Sequence, residues 1–323
     1  MLRKEIGIDI GTTQISICTP DGVLLLREPN VAALDPDTGK VLETGHGALR
    51  LHKERKGLVH LCYPAWDGVV KYANVLSAIL REFLYRALGR TILHPHAMVC
   101  VPCDLTEAQI TATEDAVLAA GVRRVHLLET PLCAALGVGF DFSVPTAQML
   151  IHIGASRTEA AVIFLGDMLI RRTAHVGGMH FDEAIRRYML EKYQLSISSR
   201  MAEQIKIRFV RLDDHTDVTT QEVRGRDVNS KELRVVKLRS TEMKDALKNV
   251  MFPIVDAALT MAEDSADEIR VDIAKGGVVL TGGGVPRGMG QFLADILGVR
   301  ASVATNADTA AAEGAAKALA KLR

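Results

Sequence analysis

An α/β fold built twice from one repeated unit is what the sequence predicts, on three observations. Residues 6–27, IGIDIGTTQISICTPDGVLLLR, and the later stretch LIHIGASRTEAAVIFLGDMLI both read as strand, glycine turn and strand. Superposed, they pair Asp9 with His152, Gly11 with Gly154, Thr12 with Ala155, Thr13 with Ser156 and Gln14 with Arg157. Each copy is followed by alternating helical and strand patterns, the signature of an α/β architecture. The 323 residues are also about twice the ~150 residues of a typical domain, so each half is long enough to bury a core.

Taken in order, the first hairpin closes through a Pro-Asp-Gly turn before VLLLRE. Residues 32–66 are less regular. From Tyr72, apolar residues at three and four spacing predict a helix through ANVLSAILREFLYRAL, and AMVCVP follows as a buried strand. Thr106 is placed to cap the next helix, with Gln109 completing a capping box and Gly121 ending it. RVHLLE reads as a strand, Pro131 as the first position of a short helix, and residues 141–148 as a linker. The second half adds helices at 180–193 and 199–210, short strands at DVTTQEVRG and ELRVVKLR and a helix at 240–262. A strand GVVLTGG, a helix at 287–297, a short strand and a closing helix at 309–322 complete the chain.

Composition excludes several classes. With 48% hydrophobic and 24% charged residues and a formal net charge of +0, the chain offers no electrostatic footprint for nucleic acid. Its apolar runs fall short of the roughly 20 residues of a membrane span and MLRKEIGIDIG lacks a signal-peptide core, so a cytoplasmic location is expected. The five cysteines read as reduced thiols; Cys100-Val-Pro-Cys103 lies in a buried run and is taken as structural rather than redox-active.

The chemistry sits in glycine turns. A glycine after a strand lets successive backbone amides converge on an anion, and hydroxyls of Thr12, Thr13 and Ser156 add donors. One such turn is as readily a plain hairpin. Two related copies, gripping a polyphosphate in a cleft between the halves, make a nucleotide site the stronger reading. Gly282, Gly283 and Gly284, between a strand and a helix, allow close approach of a ligand or make a tight connection. Glu203 and Lys206 share a helix face at i, i+3, the usual spacing of a solvated ion pair.

Through MLRKEIGIDIGTT, REPNVAAL, YPAWDGVV, VCVP, HLLETPLCAALGVG, IHIGASRTEAAVI, VGGMHFDEAI, AEQIKI, VVLTGGG and AAAEGAAKAL, the chain resembles the MreB-type bacterial actins of the actin-like ATPase superfamily along essentially its whole length. The resemblance implies two duplicated ribonuclease-H-like domains, four subdomains in all, around a cleft that holds ATP or ADP with Mg2+. The halves would be 1–144, with a small subdomain at about 32–75, and 145–308, with another at about 180–239; helix 309–323 would pack back on the first. Asp9, Gly11, Thr12 and Thr13 would form the first phosphate loop, with Asp9 reaching the metal through water, and Gly154, Ala155, Ser156 and Arg157 the second. Gly282, Gly283 and Gly284 would face the nucleotide, with Glu203 and Lys206 near ribose and base. Self-assembly into double protofilaments at the inner face of the membrane, serving cell shape, is also implied. With Met1-Leu2 ahead of Arg3-Lys4, an N-terminal amphipathic helix is not expected. Ile92 and Leu93 fall where the family's apolar membrane loop belongs, and either insert into an anionic surface or pack as a loop.

The sequence departs from the family at the chemistry. His152 replaces an aspartate that helps hold Mg2+, Arg157 replaces a threonine, and Met179 follows Gly177-Gly178 where aspartate is usual. Thr130, beside Pro131, stands at the position that orients the attacking water, leaving Glu129 nearby but on the opposite side of the strand. Imidazole is a poor ligand for Mg2+. Nucleotide binding with weakened Mg2+ dependence and slow hydrolysis is therefore expected. Arg157 either meets a phosphate or points to solvent; His152 either meets a phosphate or bonds to backbone. An inactive partner that copolymerises with an actin-like paralogue is the alternative; a small-molecule kinase or phosphatase fits less well without a carboxylate at 152.

Overall fold

The computed structural model describes residues 4–89, 94–213 and 218–322. The chain divides into two compact units: unit 1 is Met1–Ser143 with Asn306–Arg323, and unit 2 is Val144–Thr305.

Unit 1 runs β1 (Glu5–Ile10), β2 (Gln14–Cys18), β3 (Leu24–Pro29), β4 (Ala32–Leu34), β5 (Val41–Thr44), α1 (Gly45–Glu54), β6 (His60–Cys62), β7 (Ala65–Trp66), β8 (Val69–Val70), α2 (Ala73–Leu88), β9 (His96–Val101), α3 (Glu107–Ala119), β10 (Arg124–Glu129) and α4 (Thr130–Gly137). Unit 2 runs β11 (Gln148–Ile153), β12 (Thr158–Phe164), β13 (Asp167–Ala174), α5 (Gly178–Tyr193), β14 (Leu195–Ser196), α6 (Ser199–Arg208), β15 (Thr220–Asp227), β16 (Leu233–Arg239), α7 (Glu242–Asp264), α8 (Asp267–Gly276), β17 (Val278–Thr281), α9 (Met289–Leu297) and β18 (Ala301–Val303). The chain then returns to unit 1 as α10 (Ala310–Lys321).

The repeat seen in the sequence is a repeat of topology. The main sheet of unit 1 has the order β10-β9-β1-β2-β3 and that of unit 2 β13-β12-β11-β17-β18. In each, three antiparallel strands in sequence are extended on the far side of the first by two parallel strands. Period-two alternation sets the cores: Ile6, Ile8, Ile15 and Ile17 pack with Leu76, Ile79 and Phe83 of α2, while Met149, Ile151, Ile153, Ala160 and Val162 pack with Phe181 and Ile185 of α5.

Small residues let α10 dock on unit 1. A Cβ on Gly7 of β1 would lie 2.1 Å from the Ala312 carbonyl, one on Gly137 of α4 1.9 Å from that of Ala310, and one on Gly314 of α10 1.7 Å from that of Cys133. Backbone meets backbone where side chains cannot fit.

The capping box at Thr106 and Gln109 is present. Pro131 is the second residue of its helix, because Thr130 already opens α4, and the long helix of unit 2 begins at Glu242 with Pro253 inside it. Two helices, α1 and α8, lie where the sequence reading placed none. Cys100 is buried, its Sγ donating to the Ala311 carbonyl at 3.3 Å; burial, with Cys133 beside it, holds the thiol well above its ordinary range, so it is not a reactive thiolate.

At the start of α7, Glu242 accepts from Tyr188 Oη at 2.7 Å, Tyr193 Oη at 2.8 Å, Lys192 Nζ at 2.6 Å and the Arg239 amide at 3.0 Å. Burial alone would raise its pKa, but the donors together outweigh it and bring the carboxyl down from 4.5 to about 2. Glu242→Gln is expected to lower the stability of unit 2 by about 1–2 kcal/mol at neutral pH, discounted because the Lys192 partner is exposed. This contribution is complete above pH 4.5 and disappears as pH falls toward 2. Urea midpoints at pH 7 and near pH 3 should therefore differ less in the variant than in the parent.

Candidate functional site

The two turns that follow β1 and β11 close in the same way. The Gly11 amide donates to the Gln14 carbonyl at 2.9 Å and the Gly154 amide to the Arg157 carbonyl at 2.8 Å. A Cβ at Gly11 would meet the Gln14 oxygen at 2.9 Å and one at Gly154 the Arg157 oxygen at 3.2 Å. Glycine is used where the chain folds back tightly on itself.

In unit 1 the turn is clamped by a residue that sequence reasoning missed. Asn30 is fully buried; its Nδ2 donates to the Gly11 carbonyl and its amide to the Thr13 carbonyl, both at 2.9 Å. The only cue in the sequence was a polar residue between Pro29 and Val31. Asp9 is the penultimate residue of the strand, opposite Ser16, its register partner. Burial pushes its carboxyl from 3.8 up to about 6, opposed in part by Arg27, which is itself ion-paired with Asp308.

In unit 2 two segments converge on the second turn. The amides of Gly178 and Met179 donate to the carbonyls of Gly154 at 2.9 Å and Ala155 at 2.7 Å, and the Gly284 amide donates to that of Ile153 at 2.9 Å. A Cβ on Gly177 would lie 2.5 Å from the Gly154 oxygen, and one on Gly284 2.1 Å from it. Gly282, at φ +94°, and Gly284 thus serve close backbone approach, while Gly283 is exposed.

Lys206 reaches the same place, though not as the sequence reading had it. Its Nζ donates to the Gly178 carbonyl and to Asp182 Oδ2, each at 2.8 Å. Glu203 is exposed instead of paired with it, because α5 supplies a carboxylate in a half-buried setting where a cation needs a nearby partner. Burial raises the Asp182 carboxyl and Lys206 opposes the rise. Asp182 Oδ1 is buried with no hydrogen-bond partner among the described residues.

Along one sheet face beside the turn lie His152, Glu159 and Thr281, the latter two being register partners of His152 on β12 and β17. His152 Nδ1 and Thr281 Oγ1 share a hydrogen bond at 3.1 Å, so the imidazole bonds to a side chain, not to backbone as one expectation had it. Burial lowers its pKa from 6.5 to about 4, leaving it neutral at physiological pH. Arg157 does not point to solvent. It is 7% exposed, at the end of the turn just before β12, with Nε 3.9 Å from Glu159 Oε2.

Glu129 and Thr130 do not alternate along one strand, since the chain turns into α4 between them. Thr130 is buried and its Oγ1 donates to the Val101 carbonyl at 3.1 Å, which commits its hydroxyl to the backbone. Ile92 and Leu93 lie outside the described residues.

The sequence matches the model of the MreB/Mbl protein family over residues 3–323. The chain belongs to the MreB/Mbl family. It is 33% identical to the cell shape-determining protein Mbl of Bacillus subtilis over 95% of this chain and 92% of the relative. With the cell shape-determining protein MreB of Escherichia coli the identity is 32%, over 99% and 94%. MreB 5 of Spiroplasma citri bound to AMPPNP superposes with TM-score 0.92 at 25% identity, covering 100% of this chain and 98% of that one. A MamK double helical filament subunit, at 19% identity, shares the fold with TM-score 0.80 over 99% of both chains. The fold is therefore actin-like.

As an MreB/Mbl chain it is unevenly suited to the Mg2+ that the family implies. Asp9 fits: a half-buried carboxylate that keeps some access to solvent and whose charge desolvation disfavours, well matched to a hydrated cation. The second turn does not fit. Its equivalent residue is a neutral imidazole engaged with Thr281, and the carboxylate beside it, Glu159, lies 3.9 Å from the Arg157 guanidinium. Among the described residues no group of three or more His, Cys, Asp or Glu side chains is arranged to hold a metal.

Proposed function

We propose that the chain is a cell-shape protein of the MreB/Mbl type that binds ATP and ADP and polymerises into double protofilaments at the inner face of the membrane, with hydrolysis slow or absent. The observation that carries the nucleotide part is the doubled turn, with the Gly11–Gln14 and Gly154–Arg157 closures made alike on two sheets of the same topology. Support for the ligand comes from the relative solved with AMPPNP, and for filaments and cell shape from membership of the family. Asp9, Gly11, Thr12 and Thr13 would serve the phosphates from unit 1; Gly154, Ala155, Ser156 and Arg157, with Gly282–Gly284, would serve from unit 2, and Glu203 and Lys206 would lie by the ribose and base. When bound, Mg2+ would neutralise phosphate charge beside Asp9.

The weak-hydrolysis part rests on Thr130, whose hydroxyl is held by the Val101 carbonyl, and on His152, which brings no carboxylate. The same two residues support the alternative of an inactive partner that assembles with an actin-like paralogue.

The test is ATP and ADP binding, phosphate release and electron microscopy on one preparation, with Mg2+ and with EDTA. ATP should bind in both conditions, with affinities within about tenfold, or ~1.4 kcal/mol. Filaments should form and phosphate should stay at blank. Phosphate release in step with assembly would show a competent site and refute the weak-hydrolysis reading; absence of nucleotide binding in every condition would refute the whole.

A further inference from the structure

Unit 2 exposes two surfaces of opposite charge, one carrying the exposed aliphatics Leu233 and Val235 and the other the exposed ring of Phe252. We propose that they dock on one another between copies of this chain, the outer face of the β15–β16 hairpin of one copy resting on the outer stripe of α7 of the next. This rests on the filament reading above and adds a contact to it.

The hairpin follows period two: Val223, Gly225 and Leu238 are buried, so the intervening residues face out. The outward set includes Arg224, Arg226, Lys237 and Arg239, with Glu222 the carboxylate among them. Arg226 is the register partner of Leu233 and Arg224 of Val235. Leu233 is 71% exposed and Val235 47%, so cations and aliphatics alternate across the ribbon.

The complement is on α7. Its buried side is Met243, Leu247, Met251, Ile254, Ala258 and Met261, and helical spacing leaves Asp245, Phe252, Asp256 and Glu263 on the outside, with Lys248 beside them. Phe252 is 67% exposed. An aromatic ring among carboxylates is a suitable partner for guanidinium groups, which stack on such rings and pair with such anions.

Exposed apolar residues grouped together and rimmed by charges, as Leu233 and Val235 are, mark interaction surfaces. A lipid surface would satisfy the hairpin alone and would leave the anionic aromatic stripe unexplained. Made in one direction only, hairpin of one copy to α7 of the next without the reciprocal contact, the arrangement is heterologous, and a heterologous contact that does not close on itself extends into a filament. A formal net charge of +0 means that copies approach without overall repulsion.

The experiment uses the full chain in three forms besides the parent: Arg224→Glu with Lys237→Glu, Asp256→Lys with Glu263→Lys, and all four together. Critical concentration is read by pelleting at about 50 and about 300 mM salt, a range over which exposed charges become screened, with ATP affinity read in parallel. Each pair alone should raise the critical concentration at least about tenfold, and the fourfold variant should return to within about threefold of the parent, since swapping both partners restores attraction. ATP affinity should be unchanged throughout. Assembly of either pair at the parental concentration, or no recovery in the fourfold variant, overturns the contact while leaving the filament reading in place. Loss of binding to anionic vesicles with assembly intact in the hairpin variant would give the face to lipid and also overturn it. A parent that assembles under no nucleotide condition removes the filament reading and this contact together.

Discussion

Gly314→Leu is expected to unfold unit 1 at ordinary temperature. Even a Cβ at this position would stand 1.7 Å from the Cys133 carbonyl oxygen and 2.6 Å from the Gly137 amide nitrogen, atoms of helix α4 that have no rotamer with which to move aside. Overpacking where side chains can adjust costs roughly 1–3 kcal/mol. Here α10 would have to leave its seat, uncovering Met98, Cys100, Cys133 and Leu319, and a loss above about 4 kcal/mol is expected, a large part of a typical folding stability. The readout is twofold: the thermal midpoint falls sharply, and the thiols of Cys100 and Cys133 become reactive to a thiol reagent that leaves them alone in the parent. Gly276→Ala, where the added methyl meets nothing within 4 Å, serves as the control and should be neutral to slightly stabilising.

Acid is expected to act on the two units in opposite directions. His152 in unit 2 keeps a pKa of about 4 when folded against 6.5 ordinarily. Between these values the unfolded chain takes up a proton that the folded one refuses, so unit 2 loses stability as pH falls, by up to about 3 kcal/mol. Asp9 in unit 1 has a folded value of about 6 against 3.8. In that window the folded chain holds the extra proton, and unit 1 gains stability as pH falls. Because Asp9 retains some access to solvent, its gain should be nearer about 2 kcal/mol. Hydrogen exchange followed at pH 7 and pH 5 should show protection falling in β11, β12 and β17 and rising in β1 and β2. His152→Gln should abolish the first change and Asp9→Asn the second. Equal behaviour of the two units in the parent would contradict the assignment of these groups.

The doubled hairpin was legible in the sequence because a glycine after a strand needs no tertiary information to be recognised, and because two copies of it align. The capping box at Thr106 was legible for the same local reason. Helix α8 was not, since Ile269, Val271 and Ile273 alternate at period two and imitate a strand, and only Ile273 of the helix is buried. Helix α1 opens with Gly45 and Gly47 and has neither an acidic first turn nor a side-chain cap, so it is held by packing and not by propensity. At the second turn, side-chain partners were not readable. The carboxylate beside Lys206 comes from Asp182 on another helix, which spacing along α6 cannot show. The burial of Arg157 did leave a trace, Glu159 two residues on, but reading it required knowing that both side chains are covered.

The return of α10 to unit 1 has a consequence for synthesis. Residues 306–322 leave the ribosome only after all of unit 2, yet Gly7, near the start of the chain, is shaped for close contact with Ala312 and Ala316. Unit 2 is continuous in sequence and can complete its core as it emerges, in the usual manner of a domain folding as a unit during translation. Unit 1, although begun first, must wait with the α10-facing sides of β1 and α4 uncovered until the final helix arrives. A chain truncated before residue 306 would therefore hold a complete unit 2 and an open unit 1.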